Sequence, residues 1–501
     1  MIFVAELTAA IDSGGTLQTF LVTSGGGFTT KPSDTPANIE VSPRLLDPGT
    51  YRRELFSGSR VFGAVTPSYG SITISNPDGA LDGWANYGFS GRSFILRVGE
   101  SGGAYPSSFT TVFKCTMSSL TLSDRDIQIG LTDRLSLLDR PVLNTYLTGT
   151  GGVEGTSTMA GQPIPRAFLN PGWVPLKTLD ASNLIYVIHK EVPTGFGVFI
   201  RVYDGGVEVP RGSDYTSVSD LLTSAPASGT CRVYQGGPTY IRLGTTPTYE
   251  LRAYANGWKP GGLPYTFADL AIEAGITDAT TINAPTVVTQ QYIEDASTTF
   301  LDVLEESCKY NLSYFFLNRQ DIFISGEVLP PTGAASYTFT RNNCISMTKT
   351  TPDFSPIPVY KLNVLSGDVW PSTVAGGAPE YMRDYLQRTE QFASYVYENP
   401  TILNKHRLAL SDVVKMTQVL DATAFSTFAS KYMTLFGTER DQVMLEVIVT
   451  EETLSDLLAL ELMSVVEVKT NRFGYTSGKN FRIINIEYKL ASNRIGFVLW
   501  G

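Results

Sequence analysis

Apolar and polar residues alternate one for one in short runs along this chain. Ile72 and Ile74 flank Thr73, and Phe113, Cys115 and Met117 alternate with Lys114 and Thr116. Ile127, Ile129 and Leu131 repeat the pattern, as do Val443, Leu445, Val447 and Val449, and then Ile484, Ile486, Tyr488 and Leu490. A period of two sends successive side chains to opposite faces, so each run predicts a half-buried strand. Turn chemistry punctuates the runs. Asn76-Pro77-Asp78-Gly79 combines a residue that presets φ with one that tolerates positive φ. The polar Ser123-Asp124-Arg125-Asp126 and the Asp204-Gly205-Gly206 between Phe199–Tyr203 and Val207–Val209 predict hairpins. Ser492-Asn493 predicts another, returning as Ile495, Phe497 and Leu499, so the final strand is expected to be paired.

Helical periodicity enters in the second half. Phe267, Leu270, Ala271 and Ala274 fall at i, i+3, i+4 and i+7 before Gly275, the spacing of a short amphipathic helix. Leu301, Leu304 and Cys308 predict a second helix after Ser297-Thr298-Thr299, and Tyr314–Leu317 with Ile322–Ile324 a hairpin. Asp421 is placed to cap a helix carrying Phe425, Phe428, Ala429, Tyr432 and Phe436, and residues 453–462 predict another short helix. Ser219–Leu222 has room for one helical turn. At 501 residues the chain exceeds one core. Glycine clusters at 149–155 and 257–262 suggest boundaries. The expected units are a β-rich 1–148, a β-rich 149–262, a small α+β 263–360, and 361–501, which mixes both periods.

Charge narrows the function. The net charge is −10, and no Lys/Arg-rich run supplies the footprint of a nucleic-acid binder. No apolar stretch approaches the roughly eighteen residues of a membrane-spanning helix. Met1-Ile2-Phe3-Val4-Ala5-Glu6 has no basic region, so no signal peptide is expected. Cys115, Cys231, Cys308 and Cys344 are far apart and form no C-x-x-C pair, which predicts isolated buried thiols.

Catalytic chemistry finds little to work with. His189 and His406 are the only histidines, which leaves no His-rich metal site. His189 ends an apolar run and is expected near a sheet edge. Gly474-Tyr475-Thr476-Ser477-Gly478-Lys479 is one spacer short of a phosphate-binding loop and is followed by Asn480 in place of Ser or Thr. Gly149-Thr150-Gly151-Gly152-Val153-Glu154 carries a glutamate at the last glycine position of a dinucleotide fingerprint, and reads as a linker. Asp78 and Asp82 depart from calcium-loop spacing and read as turn residues. The Glu305-Glu306 and Glu451-Glu452 pairs suit helix starts. The expectation is a chain with no catalytic, cofactor-binding or metal-binding residues and no cofactor, not an enzyme.

Several segments carry a resemblance. Thr23-Ser24-Gly25-Gly26-Gly27-Phe28, Pro36-Ala37-Asn38, Arg52-Arg53-Glu54-Leu55-Phe56 and Asn76 to Asp82 are similar, in this order, to tail-tip proteins of long-tailed bacteriophages and prophages. So are Tyr87-Gly88, Gly91-Arg92, Pro106-Ser107-Ser108-Phe109-Thr110, Leu184-Ile185-Tyr186, Val202 to Gly206, Ile241-Arg242-Leu243-Gly244, Arg472-Phe473-Gly474 and Phe497 to Gly501. Residues 341–379 carry no matching block. The resemblance implies a baseplate hub: two β-barrel domains similar to tail-tube subunits, one of them C-terminal within 361–501, joined by smaller β and α/β domains. It implies a structural virion protein of the tail tip, assembled in the host bacterial cytoplasm. Its partners would be further copies of itself in a ring, the tail tube or distal tail protein, the tape measure protein, and distal fibre or receptor-binding components. DNA would pass through without specific binding, and no stable membrane insertion is implied. Open strand edges are a liability that ring closure removes, and two tube-like barrels in each of three chains match a six-fold tube. Three copies are therefore favoured over six. The acidic balance suits a lumen past which DNA slides. A hexameric distal tail ring, a tail-associated cell-wall hydrolase and a carbohydrate-binding adhesin using Trp84, Tyr87 and Phe89 are the alternatives.

Overall fold

The structure, a computed structural model, describes residues 1–55, 63–64, 66–190, 200–257, 265–281, 291–352, 357–366, 373–387, 393–416 and 422–501. Within them the chain is mainly β with α+β parts, and its two largest sheets, of seven and eight strands, are half-barrels. The expected positions of Phe199, of the Asp421 cap and of the 258–262 glycines lie outside the described residues.

The seven-stranded sheet runs in the order Leu17–Thr23, Ile2–Ala10, Ser93–Gly99, Thr110–Leu122, Asp126–Thr132, Ser71–Ser75 and Leu45–Asp47, antiparallel throughout. The alternating residues land on one face as expected: Ile127 sits opposite Ile74 and Ile129 opposite Ile72, all buried. Bulges at Leu96/Arg97 and Met117/Ser119 interrupt the ladder. Each adds local twist, which curls a sheet of this size.

The eight-stranded sheet is built around Lys479–Lys489. Its first half pairs with Val465–Lys469 and its second half with Thr50–Glu54, while Arg494–Trp500 runs along its other side. A register shift at Ile483/Asn485 marks the change of neighbour. Thr338–Thr340, Gln442–Ile448 and Ser346–Thr350 continue the sheet outward, and Thr66–Tyr69 adds to Thr50–Glu54.

Between these lies a sandwich. A five-stranded sheet (Val207–Val209, Arg201–Asp204, Leu251–Gly257, Arg166–Pro175, Gln291–Ile293) packs Val174, Val202 and Ala253 against Ile188, Val233 and Ile241 of a four-stranded one. The latter comprises Lys177–Asp180, Ile185–His189, Thr239–Leu243 and Cys231–Tyr234. Its far face is covered by Leu147, Ile164 and Leu221 of the Val218–Thr223 helix. Ile185–His189 is therefore an internal strand buried on both faces, which corrects the expected edge position of His189.

The helices Phe267–Ala274 and Phe300–Asn311 open with capping boxes, Thr266 with Asp269 and Thr299 with Asp302. The second helix buries Phe300, Val303, Leu304, Ser307 and Cys308, leaving Leu301 half-buried. The buried stripe is thus turned by one residue from the one expected, because Phe300, directly after the cap, enters the core. Both helices pack on a small sheet that contains the Ser313–Leu317/Phe323–Glu327 hairpin. A three-stranded sheet (Ala393–Glu398, Val359–Ser366, Leu410–Met416) lies under the Ala422–Phe436 helix.

One excursion of chain ties these bodies together. Leu45–Asp47 and Ser71–Ser75 belong to the seven-stranded sheet, Thr50–Glu54 and Thr66–Tyr69 to the eight-stranded one. Gly63–Ala64 pairs in parallel with Ser313–Leu317. Arg53, on this excursion, is buried. Its guanidinium lies 2.8 Å from Glu461 Oε2 and donates to Leu317 O and Tyr488 Oη, each at 3.4 Å. Replacing Arg53 by alanine takes the cation from the Glu461 carboxylate, leaving it the Arg319 N–H, and is expected to destabilise by about 3 kcal/mol. In a Glu461→Ala background the same change costs clearly less. Urea unfolding midpoints of the two singles and the double check this.

Candidate functional site

The residues singled out for chemistry are used up by the fold. His189 is 2% exposed, and its Nδ1 accepts the Ala167 N–H at 3.0 Å. Burial, with Arg166 and Lys190 nearby, pushes its pKa down to about 3, so the ring is neutral and pins two strands. His406, at the end of the Thr401–Lys405 helix, lies 3.6 Å from Glu439. It sits beside the three-stranded sheet while His189 is inside the sandwich, so the fold does not bring the two together. All four thiols are buried and unpaired, and burial raises each pKa, those of Cys231 and Cys344 to about 11. They stay protonated near neutral pH, which removes the thiolate that nucleophilic chemistry requires.

The phosphate-loop look-alike is the connection between two antiparallel strands. A side chain at Gly478, where φ is +85°, would run into Glu467, and Lys479 Nζ binds Asp441 at 2.7 Å. Asp78 receives both Nη atoms of Arg44, at 2.8 and 2.6 Å, which holds its carboxyl well below the usual range. Asp82 accepts from Asn76 Nδ2 at 2.8 Å. Glu306 takes Lys309 and the Tyr310 hydroxyl, and Glu305 is raised by burial. Trp84 and Phe89 are buried, with ring centroids 5.3 Å apart, and Tyr87 stacks on Phe20. They form core, which takes away the aromatic platform considered for an adhesin.

Sequence reading missed the buried charges at the joints. Arg166, wholly buried, places its guanidinium 4.6 Å from the Phe168 ring and 5.0 Å from the Tyr265 ring. It grips both oxygens of Glu273 at 2.9 and 2.8 Å, and Lys190 reaches the same carboxylate at 3.2 Å. Glu273 belongs to the Phe267–Ala274 helix, so this pair joins sandwich and α+β unit. At the next joint Asp133 accepts the Leu135 N–H at 3.0 Å. Burial raises its pKa to about 7, Asp321 pushing the same way and Arg53 opposing. Asp321, 2.6 Å from Arg134 Nε, is raised by burial to about 6 despite that partner. The partners lie 107 residues apart for Arg166 and Glu273, so no spacing motif could expose them.

What remains open is surface. The three-stranded sheet buries Leu362 and Val364 toward the Ala422–Phe436 helix, whose Tyr432 donates to Asp412 at 2.6 Å. On its other side Val396, Asn363 and Val413 stand side by side, both valines more than half exposed. Leu17–Thr23 ends the seven-stranded sheet with its first three residues exposed. Apolar rows and strand edges of this kind are protein-contact chemistry, not catalytic chemistry.

No family model matches the chain, and no curated protein does. Solved structures similar to it include tail proteins. One, from Neisseria meningitidis MC58, is 10% identical with a TM-score of 0.44, covering 100% of this chain and 96% of its own. The 43 kDa tail protein of prophage MuSo2 from Shewanella oneidensis is 9% identical with a TM-score of 0.43, covering 100% and 98%. Prophage tail protein gp18 from Listeria monocytogenes EGD-e is 8% identical with a TM-score of 0.33, covering 90% and 94%.

The raised carboxyl of Asp133 makes stability depend on pH. Its folded pKa, about 7, lies above the unfolded value of 3.8, so its contribution is full below 3.8 and is lost as pH rises through 7. Asp133→Asn keeps the acceptor for Leu135 N–H and removes the charge. The variant is expected to melt higher than the parent at about pH 8, with the gap closing toward about pH 4. Thermal melts across that range decide it.

Proposed function

We propose that the chain is a structural subunit of a bacteriophage tail, one of the copies forming a baseplate hub ring at the tail tip. The ring joins the tail tube or distal tail protein to the tape measure protein and to distal, host-contacting components, and leaves a passage for DNA. The observation that carries this reading is the pair of large half-barrels held in one chain by the 45–75 excursion. Each offers a curved wall, so three chains supply six walls around an axis. The tail-tip motifs are structural in the same sense: Asn76 to Asp82 forms the turn locked by Arg44, and Phe497 to Trp500 lies on an internal strand of the eight-stranded sheet.

The ring needs contacts between copies, and the Val396 and Val413 face supplies an apolar one. The role requires no catalysis, and a buried neutral His189 with four buried, unpaired cysteines fits such a role. The net charge of −10 suits a lumen that does not hold DNA.

Native mass spectrometry of the purified chain, or its placement in a tail-tip map, is expected to give three copies around the axis. Val396→Glu with Val413→Glu is expected to shift the population toward monomer without changing the melting temperature. A six-copy ring would instead support a distal tail ring, and a single copy off the axis would sink the ring altogether. Purified protein is also expected to leave a peptidoglycan zymogram uncleared. Clearing that persists through purification and disappears on a point substitution would establish a hydrolase in its place.

A further inference from the structure

Three bodies of the fold meet on one small turn. The 318–321 turn joins Ser313–Leu317 to Phe323–Glu327 in the small sheet. Arg319 O accepts the Lys114 N–H of the seven-stranded sheet at 2.8 Å, and the Arg319 guanidinium donates to Thr111 O. The Arg319 N–H donates to Glu461 Oε1 at 3.1 Å, just ahead of Val465–Lys469 in the eight-stranded sheet. Arg134, in the Arg134–Asp139 turn that follows Asp126–Thr132, places Nε 2.6 Å from Asp321 Oδ2. Its Nη2 donates to Asp321 O at 2.6 Å.

Two carboxyl groups come within electrostatic reach of each other across this joint, one from each side. Asp321, at φ +63°, leaves Oδ1 buried and without a hydrogen bond among the described residues. Asp133, 5% exposed, caps the Arg134–Asp139 turn through the Leu135 N–H and takes part in no ion pair among the described residues. Few charges surround them. Asp133 is reached by Asp321 and Arg53, and Asp321 by Arg134, Lys114 and Asp278. The Cys115 thiol lies within reach of both. Arg53 is already paired with Glu461 and Arg134 with Asp321, so Asp133 has no cation of its own.

We propose that the joint is a pH-operated latch, in which ionisation of Asp133 beside the ionised Asp321 drives the 318–321 turn off the seven-stranded sheet and protonation docks it again. Asp133 belongs to the sheet side and Asp321 to the α+β side, so their repulsion acts across the joint instead of within one body. Opening hydrates both carboxylates and gives up the contacts that Arg319 and Arg134 make. Burial raises Asp321 to about 6 and Asp133 to about 7, both above the unfolded value of 3.8. Their contribution to docking is therefore full below 3.8 and is lost as pH rises through 6 and then through 7. The latch is local, and it stands whether or not the chain forms a ring.

Hydrogen exchange of the purified full chain, read by mass spectrometry and corrected for the intrinsic effect of pH, tests this at about pH 6 and about pH 8. The reference is the Ile185–His189 strand, which lies inside the sandwich and away from the joint. Between the two conditions the amides of the 318–321 turn and of Lys114 are expected to lose about tenfold more protection than the reference, a factor of ten for each pH unit of Asp133 ionisation. Asp133→Asn and Asp133→Ser keep an acceptor for the Leu135 N–H and carry no charge. Both are expected to fold as the parent does and to exchange at the turn with no extra loss at the higher pH. Equal changes in turn and reference overturn the latch. An extra loss that persists in both variants overturns the assignment to Asp133.

Discussion

The pairing of Thr50–Glu54 with the second half of Lys479–Lys489 is the contact on which the architecture turns. It places a strand from the first tenth of the chain inside the sheet made by its last part. The strands that bracket the whole excursion, Leu45–Asp47 and Ser71–Ser75, stay in the seven-stranded sheet. The two half-barrels therefore cannot separate without breaking backbone hydrogen bonds. Rigid relative placement of two curved walls is what a ring-forming subunit requires of its fold.

That junction carries buried charge, and so do its neighbours. Arg134 with Asp321 and Arg166 with Glu273 each join two different bodies, and Arg53, paired with Glu461 in the eight-stranded sheet, reaches Leu317 O of the small sheet. A buried ion pair adds little net stability over an apolar contact, but losing one partner is costly. Such pairs therefore specify one docking of the units and penalise others. Asp133 is the exception. It is buried with a like charge nearby and a raised pKa, and the fold tolerates it because its oxygen caps the Arg134–Asp139 turn.

Residues that would signal an enzyme in isolation have local uses here. Asp78 and Asp82 hold a turn, His189 accepts a backbone N–H, and Lys479 neutralises Asp441. Exposed apolar chemistry lies elsewhere, in the row of Val396 and Val413. It does not stand out along the chain, because Val413 belongs to an alternating run like many others and meets Val396 only across Asn363.

The sequence by itself determined the local elements. Period-two runs became strands, Gly205 and Gly206 made a hairpin, Gly275 closed a helix with φ +110°, and four scattered cysteines stayed apart. These outcomes depend on sterics and hydrogen bonds within a few residues, which a short window of sequence contains. Only the tertiary structure decided which strands became neighbours, that His189 lies on an internal strand, that Trp84 and Phe89 are core, and that Arg53 meets Glu461. The physical reason is that a backbone ladder accepts any extended partner of suitable pattern. The choice between partners hundreds of residues apart is made by how all the sheets bury their faces at once, and no local spacing records it.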